Sequence, residues 1–336
     1  MPRALKPLAV TMGDPAGCGP QITQLAWKAR RDEALSPFFV IADPRIFDPS
    51  LPVAIISNPF EAADRFGGAL PVLPIELDAG ASLIPGRPNP LFAEAITHSI
   101  RRATDLCLSG DAAAAVTNPI NKSVLYQTGF SFPGHTEFIA DLCSTAKAPI
   151  KPVMMLVGGG LRVALATIHV PLMRVPEHLT PETLSEIALT THKALQLDFG
   201  LERPKLAFSG LNPHAGEDGT IGSEEQEIIN PVAASLRAQG VDISDARPGD
   251  TVFHEALTGA YDAVIAMTHD QGLIPVKTLD MWGGVNTTLG LPIIRTSPDH
   301  GTAYEAAAEG TCRADSLIAA LKLADQMARK RSPLDG

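Results

Sequence analysis

Aromatic residues, positive charge, paired cysteines and long apolar runs are all scarce in this chain. Aromatics make up 5% of it, too few for a base-stacking surface. Lys and Arg number 27 against 37 Asp and Glu, a formal net charge of −10. That balance excludes nucleic acid or an anionic membrane as the main partner. The cysteines, Cys18, Cys107, Cys143 and Cys312, lie far apart and form no Cys-x-x-Cys pair. Neither a thiolate zinc site nor a dithiol redox motif is indicated, and reduced thiols are expected. The apolar run near the N-terminus is about five residues long and is closed by Asp14 and Pro15, too short for a signal peptide. The apolar stretch 152–168 contains Gly158, Gly159, Gly160 and Arg162, so no membrane span is expected. A soluble, cytoplasmic protein is the expectation. Nucleotide and protease fingerprints are missing as well. The glycine-rich loop 13–19 fits neither G-x-G-x-x-G nor G-x-x-x-x-G-K-[ST], and there is no H-E-x-x-H.

What is present is the composition of a globular protein: 336 residues, 45% hydrophobic and 19% charged. That length suggests about two domains or one interlocked unit. Short β-branched runs alternate with longer helical ones, which predicts an α/β protein with a largely parallel sheet. Strands are expected over 8–11, 38–42, 112–117, 205–209, 263–267 and 291–295. Helices are expected from Pro20 to about 30, and over 90–108, 134–143, 180–195, 223–239 and 314–331. Apolar runs on either side of Gly158-Gly159-Gly160 predict an antiparallel hairpin over 152–168, in a sheet shared by two lobes.

Nine histidines occur. His98 and His192 fall within helical patterns and read as solvated or satisfied, and His178 reads as surface. His169, His214 and His269 each stand at or just past the end of an apolar run. In α/β sheets ligands bind beyond the strand ends. These three are either unrelated loop residues or imidazoles that converge on one divalent ion. His135 and Thr136, in Pro-Gly-His-Thr-Glu before a helix, suit an oxyanion or phosphate. The other reading is that Thr136 merely caps the helix. Lys277, Asn286, Thr287, Thr288 and Arg295 lie in a glycine-rich, otherwise apolar stretch, a composition that favours anion binding. The loop 117–122, Thr-Asn-Pro-Ile-Asn-Lys, is a further polar segment after a strand.

Taken in order, GDPAGCGP at 13–20, TNPINK at 117–122, GHTE at 134–137, HVPL at 169–172, GLNPHAGE at 210–217, YDAVIAMTHDQGLIPVK at 261–277 and GVNTTLGLPIIRTSPDHGTA at 284–303 resemble one family. It is the 4-hydroxythreonine-4-phosphate dehydrogenase family of vitamin B6 (pyridoxal phosphate) synthesis, and the resemblance runs over about residues 7–325. It implies a fold like isocitrate and isopropylmalate dehydrogenases, with two α/β lobes (about 1–130 plus 290–336, and 131–289) and a cleft between them. It implies a homodimer in which the partner subunit completes a metal site. His169, His214 and His269 would ligate a divalent ion (Zn, Mg, Mn or Co), with imidazoles favouring zinc or a similar transition metal. His135, Thr136, Lys277, Asn286 and Arg295 would bind the substrate. The implied reaction is NAD- or NADP-linked oxidation of 4-phosphohydroxy-L-threonine to a 3-keto acid, which decarboxylates to 3-amino-2-oxopropyl phosphate. Asp250 and Asp270 are candidate catalytic acids that steer a ligand imidazole or relay a proton. Asp250 also reads as a helix N-cap.

The chain departs from the family pattern at three places. Gln21 replaces the usual Glu and Thr268 a frequent Tyr. Residues 304–310 read Tyr-Glu-Ala-Ala-Ala-Glu-Gly where Leu-Asp-Ile-Ala-Gly-x-Gly is usual. The last segment resembles the cofactor side of the wider fold. Two further readings therefore stand. One is a paralogue acting on a phosphorylated four-carbon hydroxy acid or a terephthalate cis-dihydrodiol. The other is a non-catalytic protein that binds metal and phosphate.

Overall fold

The computed structural model describes residues 6–145 and 149–331. Its strands, in chain order, are β1 (Leu8–Thr11), β2 (Phe38–Ala42), β3 (Val53–Ile55), β4 (Leu70–Pro74), β5 (Ala115–Val116), β6 (Val153–Gly158), β7 (Leu161–Leu165), β8 (Lys205–Ser209), β9 (Asp242–Arg247), β10 (Ala263–Ala266), β11 (Val285–Leu289) and β12 (Arg295–Pro298). The chain divides into two compact units, 1–152 with 291–336, and 153–290. Segment 131–152, expected with the second lobe, goes with the first unit. There the helix His135–Cys143 packs on the helix Ala93–Leu108, and the Arg101 guanidinium lies over the Phe138 ring.

In the first unit the strand order is β3-β4-β2-β1-β5-β12, and every pairing is parallel. A parallel sheet is covered on both faces, and its strands are largely apolar except β12, whose Arg295, Thr296 and Ser297 are buried. Phe-Phe-Val-Ile-Ala in β2 is buried at every residue. Asp43, just past β2, is buried. It accepts hydrogen bonds from the Arg45 and Leu77 backbone N–H groups, each 2.9 Å, and from the Arg45 guanidinium. Burial alone raises a carboxyl pKa, but these donors hold Asp43 below its ordinary range.

In the second unit the order is β11-β6-β7-β10-β8-β9. The strands β7, β10, β8 and β9 run parallel, and β6 pairs antiparallel with both β7 and β11. The expected hairpin is present. Gly159 (φ 57°) and Gly160 (φ 85°) form its two-residue turn, a conformation that glycine adopts without a steric penalty. One face of this sheet packs Met155, Ala164, Leu206, Phe208 and Ile265 against the helices Pro181–Leu197 and Asn230–Ala238. Thr180 caps the first of these by accepting from the Thr183 N–H at 3.2 Å, and Pro181 opens it. The other face packs Val163, Ala207 and Val264 against Phe253 and Val276, from the helices Val252–Leu257 and His269–Leu279.

Several elements differ from expectation. The strand expected over 112–117 is only Ala115–Val116. The strand expected over 291–295 begins at Arg295 instead, because Pro292 has no N–H for a ladder. The helix expected over 223–239 is interrupted, with a π-helical turn at Glu225–Ile229 before Asn230–Ala238. The four cysteines are free. Among the described residues no helix is long and apolar enough to cross a membrane.

Candidate functional site

In the first unit the polar residues gather beyond the C-terminal ends of the neighbouring strands β1 and β5 and at the first residue of β12. Arg295 opens β12 and is 3% exposed. Its Nε and Nη2 donate to Thr117 Oγ1 at 3.1 and 2.7 Å. Burial lowers its pKa to about 10, and the charge of Glu137 opposes that shift. His135 is the first residue of its helix. Burial, then the charges of Arg295 and Lys122, hold its imidazole well below the ordinary 6.5. It is therefore neutral near pH 7, and its buried Nε2 has no hydrogen-bond partner. The N-cap of this helix is Gly134, with no side-chain cap bond, so Thr136 does not cap it. Lys122 approaches from the polar loop, its Nζ 3.5 Å from where a Cβ on Gly134 would stand. A cradle results with two cations and a neutral imidazole at a helix N-terminus, with the Glu137 carboxylate, its Oε2 3.4 Å from the same point, beside them. Such a cradle is suited to a doubly charged anion.

Two further residues shape this edge. Asn118, fully buried, ties β5 to β1 through bonds from its N–H to Thr11 Oγ1 (3.1 Å) and from its Nδ2 to Thr11 O (3.0 Å) and Thr23 Oγ1 (2.8 Å). Its Oδ1 is buried without a partner. Asp14, in the glycine-rich loop, accepts from the Ala16 N–H at 2.9 Å and the Tyr304 hydroxyl at 2.6 Å. Burial raises its pKa against these bonds. Gln21 Nε2 donates to Ala307 O at 2.6 Å. Two of the three departures from the family pattern, Gln21 and segment 304–310, thus touch each other. Turn chemistry in Gly-Asp-Pro was the only signal for Asp14, and nothing local pointed to Tyr304.

In the second unit the three histidines stand beyond the C-terminal ends of β7, β10 and β8, which are adjacent in the sheet. The His169 and His269 rings are 6.0 Å apart between centroids. His269 Nδ1 lies 2.7 Å from Asp270 Oδ1, a contact that orients the ring. His214 lies in the turn Pro213–Gly219 after β8. Asp250 is exposed and follows β9; the N-cap of the next helix is Thr251, so Asp250 does not cap it. Lys277 lies on the helix that begins at His269. Asn286 lies within β11, opposite Leu156, rather than in a loop. Among the described residues no three His, Cys, Asp or Glu side chains are arranged to hold a metal ion. The donor set nevertheless has the right chemistry for a borderline divalent cation, with two imidazoles already side by side.

Cross-bonds between strand ends set the positions of these loops. Thr167 Oγ1, after β7, donates to Met267 O at 2.6 Å. Gln271 Oε1 accepts from Ser209 Oγ (2.8 Å) and the Met267 N–H (2.9 Å), and its Nε2 donates to Gly210 O at 2.7 Å. Gly272 lets this helix close on β7, since a Cβ there would stand 2.5 Å from Leu165 Cδ2. The remaining helical histidines are simpler. His98 and His178 are exposed. His192 departs from the expected satisfied state, with Nδ1 buried and without a partner.

A family model described as "Pyridoxal phosphate biosynthetic protein PdxA" matches residues 34–324. The chain belongs to the PdxA family. A relative from Methylorubrum populi, named 4-hydroxythreonine-4-phosphate dehydrogenase, is 49% identical over 333 residues, covering 97% of this chain and 95% of its own. One of the same name from Maricaulis maris is 49% identical over 338 residues, covering 98% and 99%. The crystal structure of a 4-hydroxythreonine-4-phosphate dehydrogenase from Klebsiella pneumoniae superimposes with a TM-score of 0.86 at 37% identity, covering 96% of this chain and 99% of that one. The PdxA match spans both groups of residues described above.

Proposed function

We propose that this PdxA-family chain is a metal-dependent, NAD- or NADP-linked 4-hydroxythreonine-4-phosphate dehydrogenase that works as a homodimer. The observation that carries the reading is the anion cradle of the first unit. Arg295 is buried on Thr117, with His135 held neutral and its Nε2 unpartnered beside Lys122. A buried guanidinium with a neutral imidazole suits a phosphomonoester, which accepts hydrogen bonds at three oxygens. Lys277 and Asn286 would bind the rest of the substrate.

His169, His214 and His269, in a site that the partner subunit completes, would hold the divalent ion, as the family resemblance implies. That ion, when bound, supplies Lewis-acid polarisation of the substrate's hydroxyl oxygen and of the ketone oxygen that replaces it. A bound nicotinamide would supply the hydride acceptor for the carbinol carbon. The oxidation product is a 3-keto acid; breaking its bond to the carboxyl group leaves electrons on the ketone oxygen and releases CO2. Asp270 would orient the His269 ring through Nδ1. Asp250, after the strand beside the one that leads to His214, would take a proton. The cradle residues would hold the phosphate, a positioning role.

The test is NADH or NADPH formation by the purified, metal-loaded protein with 4-phosphohydroxy-L-threonine, with and without chelator. Chelator-sensitive turnover is expected. No turnover by a protein that retains its metal overturns this substrate assignment.

A further inference from the structure

His214 sits in a backbone conformation that L-residues resist. His214, Ala215, Gly216, Glu217 and Asp218 have φ of 52°, 52°, 79°, 42° and 54°. With Gly219 (φ 87°) the left-handed run spans six consecutive residues, of which only two are glycine. Such a run persists only where its surroundings enforce it.

The enforcement comes from Asn212 and Glu225. The Asn212 N–H donates to Glu225 Oε1 at 2.8 Å. Asn212 Nδ2 donates to Glu225 Oε2 at 2.9 Å and to Glu224 Oε2 at 2.6 Å. Both Glu225 oxygens therefore accept from the residue that leads into the turn. Glu225 is 1% exposed, and its Oε2 stands 2.7 Å from where a Cβ on Gly216 would be. Gly216 is thus the point of the run at which the Glu225 carboxyl approaches the backbone. From the turn itself, Ala215 N–H donates to Asn212 O and Ile221 N–H to Gly216 O, each at 3.1 Å. Behind it, Glu225 opens the π-helical turn Glu225–Ile229, anchored in the core by the fully buried Ile229. Single π-turns of this kind recur at functional sites.

A buried carboxyl group held by an amide, with no ion pair among the described residues, is a costly way to fill space. We infer that Glu225 is a positioning residue. Through Asn212 it locks the turn left-handed and so fixes where His214 is presented to the divalent ion. The role toward the ion rests on the proposed function, whereas the lock on the turn does not.

The test uses the full-length protein, its Glu225→Gln variant, and the paired swap Asn212→Leu with Glu225→Met. Glutamine turns an NH2 toward the Asn212 NH2, donor against donor. The apolar pair removes the side-chain clamp and leaves only the residue-212 backbone N–H without its acceptor, so it carries the test if Glu225→Gln fails to fold. Co2+ alone is titrated by its absorption, and hydrogen–deuterium exchange is followed in metal-free protein. Co2+ binding should weaken by about tenfold or more, as for other residues that orient ligands. Exchange should rise across 212–222 and stay unchanged in β7 and β10. A general structural role would instead lower the unfolding temperature and raise exchange throughout the unit. Unchanged exchange across 212–222 overturns the clamp. Raised exchange with unchanged Co2+ affinity overturns its role toward His214. If the wild type binds no Co2+, the metal reading fails, and exchange alone decides whether the clamp exists.

Discussion

Tyr304 donates its hydroxyl hydrogen to Asp14 Oδ2 across 2.6 Å, joining the segment that departs most from the family pattern to the glycine-rich loop after β1. Asp14 is fully buried, so this bond offsets part of its desolvation. Tyr304→Phe removes the donor and leaves the carboxyl in place. Bonds to charged groups contribute about 1.5–3 kcal/mol, and a loss of stability of that order is expected in urea unfolding at pH 7. The Asp14 pKa already lies above its ordinary 3.8, and the variant should raise it further. A raised carboxyl pKa means the folded state holds the proton longer, so this group's contribution falls as pH rises from the unfolded value through the folded one. The variant's deficit should therefore shrink at acid pH. A Tyr304→Phe protein as stable as wild type at pH 7 would show that the bond contributes nothing.

The neutral state of His135 makes a second prediction. Its folded pKa lies well below 6.5. Between those values the unfolded chain binds a proton that the folded chain does not. Stability must then fall as pH drops below about 6.5, with a slope of up to one proton. His135→Gln removes the titrating group, so the urea midpoint should depend less on pH between 5 and 7. An unchanged slope would mean that His135 is protonated in the folded protein.

How much of this was readable in advance varies by element, for physical reasons. The strands β1, β2 and β8 match their expected bounds, because each is a compact apolar run closed by turn residues. By contrast β9, Asp-Ile-Ser-Asp-Ala-Arg, is an edge strand whose pairing comes from β8 rather than from its own residues. Likewise β11 carries Asn-Thr-Thr, with Thr287 and Thr288 buried, a burial that no local pattern announces. The histidines were legible because strand ends mark a sheet edge. Gln271, Thr167 and Glu225 were not, since their partners Ser209, Met267 and Asn212 are joined to them only by the fold.

The clasp of Asp43 on Arg45 and Leu77 lies beyond β2, outside the groups of candidate functional residues. Asp43→Asn keeps the shape but loses the charge that accepts from two N–H groups and the guanidinium. About 1–3 kcal/mol of stability should be lost, with kcat and KM unchanged. The native Asp43 pKa is below 3.8. Its contribution is therefore present above that value and is lost as pH falls through the lower folded one. Wild type and variant should converge in stability as the pH falls through that lower value. A variant with wild-type stability at pH 7 would contradict the clasp.

Arg295 tests the anion cradle most directly. It is buried, and its fork already donates to Thr117, which fixes the plane of the guanidinium before any substrate arrives. Lysine keeps the charge but loses that plane and the paired donors. Arg295→Lys should raise KM for 4-phosphohydroxy-L-threonine by about tenfold to a hundredfold, the equivalent of one or two charge-assisted bonds. Folding should survive, because the ammonium still reaches Thr117. The dephosphorylated substrate separates the two readings of such a loss. If Arg295 holds the phosphate, wild type and variant should handle 4-hydroxythreonine equally poorly. If the variant loses activity on both substrates by the same factor, Arg295 acts on the carbon skeleton or on the architecture of the strand end, and the phosphate assignment falls.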